Sequence, residues 1–326
     1  MDNKKDYDKR GYIPPEKLTI PPIYILPPNL IKSLNWLFNF FFPWWILYLG
    51  FTYLSWFYLT PSIEKMATWN WDWVILIWLR NVFFLSIFAG GIHWWLYIRK
   101  KQSTNYKYFS LWPKAKSNKF LFKNQVKDNI FWSIFSGCSI WTIYESIVLF
   151  MYASGRIQFV SWTEYPIYLF ICLIIMPFAG GVHFYIIHRF LHIPMIYRIA
   201  HAVHHRNVNT GPWSGISMHP IEHIIYFSGV LIFFIVPAHP FIAIFLLSKI
   251  AIGPGLSHSG FHKLFIGKEM INTKHYLHYL HHRYFECNYG AGLDGSIIPL
   301  DKWFGTLHDG SEEAEQRMMN KLRESD

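Results

Sequence analysis

Charge is what this 326-residue chain has least of: Asp, Glu, Lys and Arg make up 15% of it, against roughly 25% in a soluble globular domain. Hydrophobic residues account for 52% and aromatic residues for 20%. That balance argues against an ordinary soluble domain and points to lipid-facing helices with aromatic belts at the membrane interfaces. Cysteine is also scarce. Cys138, Cys172 and Cys287 form no even, closely spaced framework, and two of them lie in apolar segments as small buried hydrophobes. The first thirty residues lack the charged-then-apolar pattern of a cleaved signal peptide, so membrane insertion falls to the first spanning helix. Acidic residues are outnumbered, 20 to 30, giving a net charge of +10. A basic chain invites a nucleic-acid reading. Here much of the positive charge flanks apolar segments, where membrane proteins keep cytoplasmic Lys and Arg, so no nucleic-acid partner is expected.

The apolar runs predict an all-α polytopic membrane protein with about four transmembrane helices, a bent membrane hairpin and a cytoplasmic, histidine-rich helical cap. Residues 1–30 carry Pro14, Pro15, Pro21, Pro22, Pro27 and Pro28 and read as an extended or disordered cytoplasmic arm. Residues 31–164 hold the N-terminal spans and a basic loop. Apolar stretches over 34–59, 73–98, 130–152 and 165–187 are each long enough for a hydrocarbon core of ~30 Å. Arg80 in the second requires a partner or polar cavity if it lies deep, and Glu145 lies in the third. The loop between them carries Arg99, Lys100, Lys101, Lys107, Lys114, Lys116, Lys119, Lys123 and Lys127, which places it in the cytoplasm. Four crossings then bring the chain back to the cytoplasmic side after Ile187. A run over 223–252, interrupted by Pro237, His239 and Pro240, suits a hairpin better than two full spans. Residues 165–310 form the expected catalytic region, and 311–326 a charged tail with a short surface helix. One internal echo, Phe88-Ala89-Gly90-Gly91-Ile92-His93 and Phe178-Ala179-Gly180-Gly181-Val182-His183, reads as paired small-residue packing sites.

The 17 histidines are clustered. His188 and His192 are four apart, as are His258 and His262. His201, His204 and His205 follow H-x-x-H-H, and His278, His281 and His282 repeat it. Residues three and four apart share a helix face, so each group can aim its imidazoles at one centre. Ten imidazoles in two similar sets of five suggest two metals with open coordination positions. A structural zinc would use four ligands, commonly cysteine. Iron and zinc both accept imidazole, and of the two only iron has the redox chemistry to activate oxygen. His275 and His308 read as flanking. His93 and His183 are single residues inside helices and read as packing residues. A heme held between them would make an electron-transfer protein instead. A transport or structural protein with a zinc-sensing site is the other alternative.

At these residues the sequence resembles the fatty acid hydroxylase and sterol desaturase superfamily of membrane di-iron enzymes. The resemblance covers 185–306. It rests on His188-Arg189-Phe190-Leu191-His192, His201-Ala202-Val203-His204-His205 and His278-Tyr279-Leu280-His281-His282. It also includes Asn288-Tyr289-Gly290 with Asp301-Lys302-Trp303-Phe304-Gly305-Thr306. His258-Ser259-Gly260-Phe261-His262 resembles the element supplying two further ligands, and His219-Pro220-Ile221-Glu222 another family element. The latter, with the box spacing, leans to the sterol desaturase branch. The resemblance implies two iron ions on His188, His192, His201, His204, His205, His258, His262, His278, His281 and His282. It implies dioxygen as co-substrate and hydroxylation or desaturation of a sterol or long-chain lipid drawn from the membrane. Fatty acyl, ether-lipid and carotenoid hydroxylation lie within the same superfamily. No His-Pro-Gly-Gly heme motif of a fused cytochrome b5 domain occurs, so electrons are expected from a separate carrier of cytochrome b5 or ferredoxin type. Glu222, Glu286 and Asp294 are candidates to orient ligand imidazoles. The membrane is expected to be the endoplasmic reticulum or a bacterial inner membrane, with the active site on the cytoplasmic face.

Overall fold

The computed structural model describes residues 7, 8, 10–15, 20–290 and 298–324. Helix dominates. Helices α1 (Leu30–Phe41) and α2 (Trp44–Tyr58) form a bent pair at 45°, broken where Pro43 removes a backbone donor. Helix α3 (Trp71–Ile98), α4 (Gln125–Ala153) and α5 (Pro166–Leu191) follow, each long and apolar enough to cross a membrane. Asn70 and Asn124 start α3 and α4 by accepting backbone N–H groups from Asp72 and Lys127, satisfying donors that a helix start leaves open. Helix α6 (194–205) is short, with a π-helical turn over Tyr197–His201. Helix α7 (Pro220–Phe234) is too short to span and finishes as 3-10 helix. It leads into α8 (Pro240–Ser257), which is both long enough to cross and enclosed by its neighbours. Together α7 and α8 occupy the predicted hairpin region, with α8 by itself long and apolar enough to cross. The chain is an integral membrane protein.

Arg80 on α3 finds its partner in Glu145 on α4. The guanidinium donates to that carboxylate and to Thr60 Oγ1 (3.0 Å). Asn81 Nδ2 donates to Thr142 Oγ1 (3.1 Å) and to the second Glu145 oxygen (3.2 Å). All four of Arg80, Asn81, Thr142 and Glu145 are buried. A lone charge at this depth is expensive, and the paired, hydrogen-bonded arrangement is what makes both tolerable.

Three elements differ from the sequence expectation. A two-stranded antiparallel ribbon, β1 (Lys263–Ile266) and β2 (Glu269–Asn272), pairs Ile266 with Glu269; Gly267 at φ +65° makes the tight turn that glycine tolerates. The described part of the N-terminal arm is docked rather than loose. Tyr12 is buried, donates its N–H to Lys107 O (2.8 Å) and packs on Tyr106 and His262. Lys107 itself is no surface charge. It is 1% exposed, donates to Leu111 O (2.8 Å) and Asn209 Oδ1 (3.3 Å), and burial pushes its ammonium down to about 7. Helix α9 (Tyr276–Tyr284) and tail helix α10 (Glu312–Glu324) complete the cap, tied by Arg283 to Glu315 (2.6 Å).

Candidate metal centre

Nine imidazoles meet under the cap in two abutting groups. One holds His188, His192, His201, His205 and His281; the other His204, His258, His278 and His282. Within each group one ligand atom per residue lies within 4.8 Å of all the others. All but His192 are buried. The groups touch through His205 and His282, whose rings stack at 4.8 Å.

The sets are therefore not the two runs of five that spacing suggests. Each H-x-x-H-H box serves both groups. His201 and His205, four apart on α6, enter the first, while His204 enters the second. His278 and His282, four apart on α9, enter the second, while His281 enters the first. At 3.6 residues per turn, positions i and i+4 are about 40° apart around the helix, whereas i+3 and i+4 are about 100° apart. The adjacent histidines of each box must diverge, and they reach neighbouring centres.

His262 is not among the gathered imidazoles. Gly260 turns the chain at φ +78° and β1 begins at Lys263, so His258 and His262 do not lie one above the other on a helix. His262 instead faces Tyr108 Oη through Nδ1 (3.0 Å) and packs on Tyr12. His275 and His308 are buried outside both groups, His308 stacked on Tyr284. His93 and His183 do not face each other. His93 stacks on Tyr97 at 5.2 Å beside one cavity, while His183 contacts Ser228 in another. No pair of axial ligands for a heme results.

The backbone and one carboxylate set the tautomers. His188 Nδ1 donates to Tyr289 O (2.7 Å), His281 Nδ1 to Cys287 O (2.7 Å) and His258 Nδ1 to Pro254 O (3.1 Å). A carbonyl can only accept, so these Nδ1 atoms carry the proton and Nε2 is left as a bare lone pair. His201 Nδ1 meets Glu222 Oε1 at 2.7 Å, and its buried Nε2 has no hydrogen-bond partner. Contacts between Nε2 atoms run from 3.0 to 3.2 Å in both groups, as in His281–His205 and His258–His282. Burial pushes these imidazoles down, His192 to about 2 and His258 to about 3, and His204, His205, His278, His281 and His282 well below their ordinary range. Neutral imidazoles with lone pairs converging at hydrogen-bonding distance repel one another unless a cation sits between them. This donor set, all nitrogen with no thiolate, fits a divalent transition metal such as iron.

Sequence reasoning missed the loop that aims two of these rings. Phe285 and Asn288 adopt φ of +67° and +54°, strained for residues with side chains. The turn brings the Cys287 and Tyr289 carbonyls onto His281 and His188. Asp301 holds it there, accepting from Tyr289 N (2.8 Å), Gly290 N (2.7 Å) and Thr306 Oγ1 (2.6 Å). The signal was present in the signature stretch around Asp301, but not its role. Of the expected orienting carboxylates, Glu222 is in place. Glu286 is exposed and pairs with Lys321, so it orients no imidazole. Asp294 lies outside the described residues.

A cavity of about 250 Å³ opens from the histidines into the membrane-embedded half, touching His188, His201, His204, His258 and His278. Its walls come from α5, α7 and α8, including Gly180, Gly181, Gly229 and Leu246. Leu246 precedes His258 by twelve residues, about 18 Å at 1.5 Å per residue, so the space runs well into the apolar region.

Residues 169–306, which contain every gathered histidine, match the family model described as Fatty acid hydroxylase. The chain is 33% identical to a Delta(7)-sterol-C5(6)-desaturase of Nicotiana tabacum, over 50% of this chain and 58% of that protein. It is 30% identical to a Delta(7)-sterol 5(6)-desaturase of Gibberella zeae, over 52% and 53%. It is 26% identical to a fatty acid hydroxylase of Mycosarcoma maydis, over 80% and 66%. The matched stretch thus spans little more than half the length of the two sterol desaturases. No solved structure matches the chain. The histidine-bearing region is thus what this chain shares with the fatty acid hydroxylase family model, and through it the chain is similar to sterol desaturases and to a fatty acid hydroxylase.

Proposed function

We propose that this protein is a membrane-bound di-iron oxidoreductase that uses dioxygen and external electrons to hydroxylate or desaturate a lipid, a sterol or long-chain lipid in particular. One observation carries the reading: nine neutral imidazoles, gathered in two groups, border an elongated apolar cavity. The names of the sterol desaturases and the fatty acid hydroxylase support the substrate class.

His188, His192, His201, His205 and His281 would hold one ion, and His204, His258, His278 and His282 the other. Bound iron supplies redox chemistry with dioxygen, which no unassisted side chain has. The chain supplies the rest. The Tyr289, Cys287 and Pro254 carbonyls and the Glu222 carboxylate fix which nitrogen faces inward on His188, His281, His258 and His201, as outer partners of metal-bound histidine do. The apolar walls exclude water and orient one C–H bond of the lipid toward the histidine end. Entry is lateral, from the bilayer. Electrons come from a separate carrier of cytochrome b5 or ferredoxin type that docks on the cytoplasmic face, in the endoplasmic reticulum or a bacterial inner membrane.

The experiment is turnover under isotopically labelled dioxygen. Iron-loaded protein receives a reductant and a panel of sterols and acyl lipids, and products are read by mass spectrometry. An alcohol carrying the label indicates hydroxylation; an unlabelled alkene, with oxygen consumed, indicates desaturation. Absence of both oxygen consumption and lipid change across the panel would refute the reading.

A further inference from the structure

The nine lysines and arginines between Ile98 and Asp128 have no acidic counterpart in their stretch: no Asp or Glu occurs from Trp73 to Lys127. Asp128 itself is buried, accepting from Leu121 N (2.8 Å) and facing Arg206 (3.8 Å). A second cavity, of about 300 Å³, opens in this basic surface. It is bounded by the end of α3, the start of α4 and residues 112–115 of the loop, and its lining includes Lys100 and Lys114 but no carboxylate. Among the described residues neither lysine forms an ion pair.

The cavity sits where the spanning helices leave the membrane, on the side of the histidine cap. Two of its walls are the ends of α3 and α4. Tyr97, on one wall, ties the site to the cap through its hydroxyl, which lies 2.9 Å from Thr210 O and 2.8 Å from Ser259 O. Ile98, Leu111, Leu121 and Phe122 are exposed among the lysines. Exposed apolar side chains interleaved with cations are what a surface resting among lipid headgroups carries.

The lining is arranged to receive an anion. Lys100 adopts φ +48°, a conformation that residues with side chains seldom take and that recurs at binding sites. Its ammonium stands 4.6 Å from the centre of the Trp112 ring. Trp112 lies edge-on to Tyr97 at 5.6 Å, and Tyr97 stacks on His93, giving the cavity one aromatic wall. Lys114 is pinned to the start of α4: its N–H donates to Gln125 Oε1 (3.1 Å), and Gln125 N donates to Lys114 O (3.0 Å). Asn124 Oδ1 accepts from Lys127 N (3.0 Å), so the Asn124 amide has its Nδ2 group left to donate. Ammonium and amide donors without a carboxylate suit phosphate oxygens.

We propose that this cavity binds the phosphate of an anionic phospholipid whose acyl chains remain in the bilayer. The site is separate from the one bordering the histidines and owes nothing to the lipid-oxidation reading. A zwitterionic headgroup would set its own cation against the two lysines. Free phosphate would bring the charge without chains for the apolar rim to meet.

The test is equilibrium binding of tritiated dioleoyl phosphatidylglycerol to the full-length protein in nonionic detergent micelles. Dioleoyl phosphatidylcholine and inorganic phosphate serve as competitors. One saturable site per chain is expected, with phosphatidylcholine weaker by about tenfold or more, the scale of two lysines acting on an anionic lipid. Millimolar inorganic phosphate should leave the lipid bound. Lys100→Gln/Lys114→Gln should erase the preference for phosphatidylglycerol. Lys123→Gln/Lys127→Gln removes the same charge from the same stretch outside the cavity lining and should change affinity by no more than about twofold, since separated surface charges are screened. Absence of a saturable site, equal competition by phosphatidylcholine, displacement by inorganic phosphate, or equal loss in the two double variants would each overturn the proposal. The two competitor comparisons use the native chain, so they decide the matter even if a variant fails to fold.

Discussion

His258 and His262 look alike in the sequence and part company in the structure, which makes them the sharpest pair to compare at the scale of single residues. His258 enters the four-membered group, and His262 packs on Tyr12 and Tyr108. His258→Ala should lower bound iron by about one ion per chain, because that group has only three other imidazoles to hold it. His262→Ala should leave iron content at the native value. Metal analysis of the two variants decides it, and equal loss in both would restore the ten-histidine site. The boxes were legible because imidazoles three and four apart must share a helix face. Their division between two centres was not, because it depends on where α6 and α9 lie relative to each other. His262 was misread because H-x-x-x-H spells one helical turn, and nothing local says that Gly260 ends the helix first.

At the scale of elements, the spans were legible from long apolar runs, and so was the short hairpin limb, since Pro237 and Pro240 interrupt the run where α7 gives way to α8. The ribbon of β1 and β2 was missed. Eight residues split by a glycine turn carry too little alternation to stand out, and their place is set by Gln102, whose side chain donates to Lys263 O (2.9 Å) and accepts from Phe265 N (3.2 Å). The docked arm escaped notice because proline-rich composition speaks of backbone stiffness, not of the tyrosines that bury. The Arg80–Glu145 pair couples α3 to α4, and its two charges behave as a unit. Arg80→Met or Glu145→Leu alone leaves an unpaired buried charge and should destabilise the protein by about 3–5 kcal/mol. The double variant should recover most of that loss. Thermal unfolding of all four proteins in one detergent measures the coupling, and additive losses in the double variant would show that the pair is not the link.

At the scale of the whole molecule, the proposed orientation places the basic loop, the histidine cap and α10 on the same, cytoplasmic side. Cysteines introduced at Lys114 and Glu313 in a chain lacking its native three should both react with an impermeant thiol reagent from the cytoplasm. Labelling of the two from opposite faces would break the topology. The central claim is narrower than topology and independent of the substrate: two groups of neutral imidazoles exist to hold two redox metals. Iron analysis of anaerobically purified, full-length protein, alongside the His204→Ala/His281→Ala variant that removes one ligand from each group, tests it most directly. The account predicts about two iron ions per native chain and loss of most of the iron in the variant. Stoichiometry near zero in the native protein, or full metal retention in the variant, would contradict it.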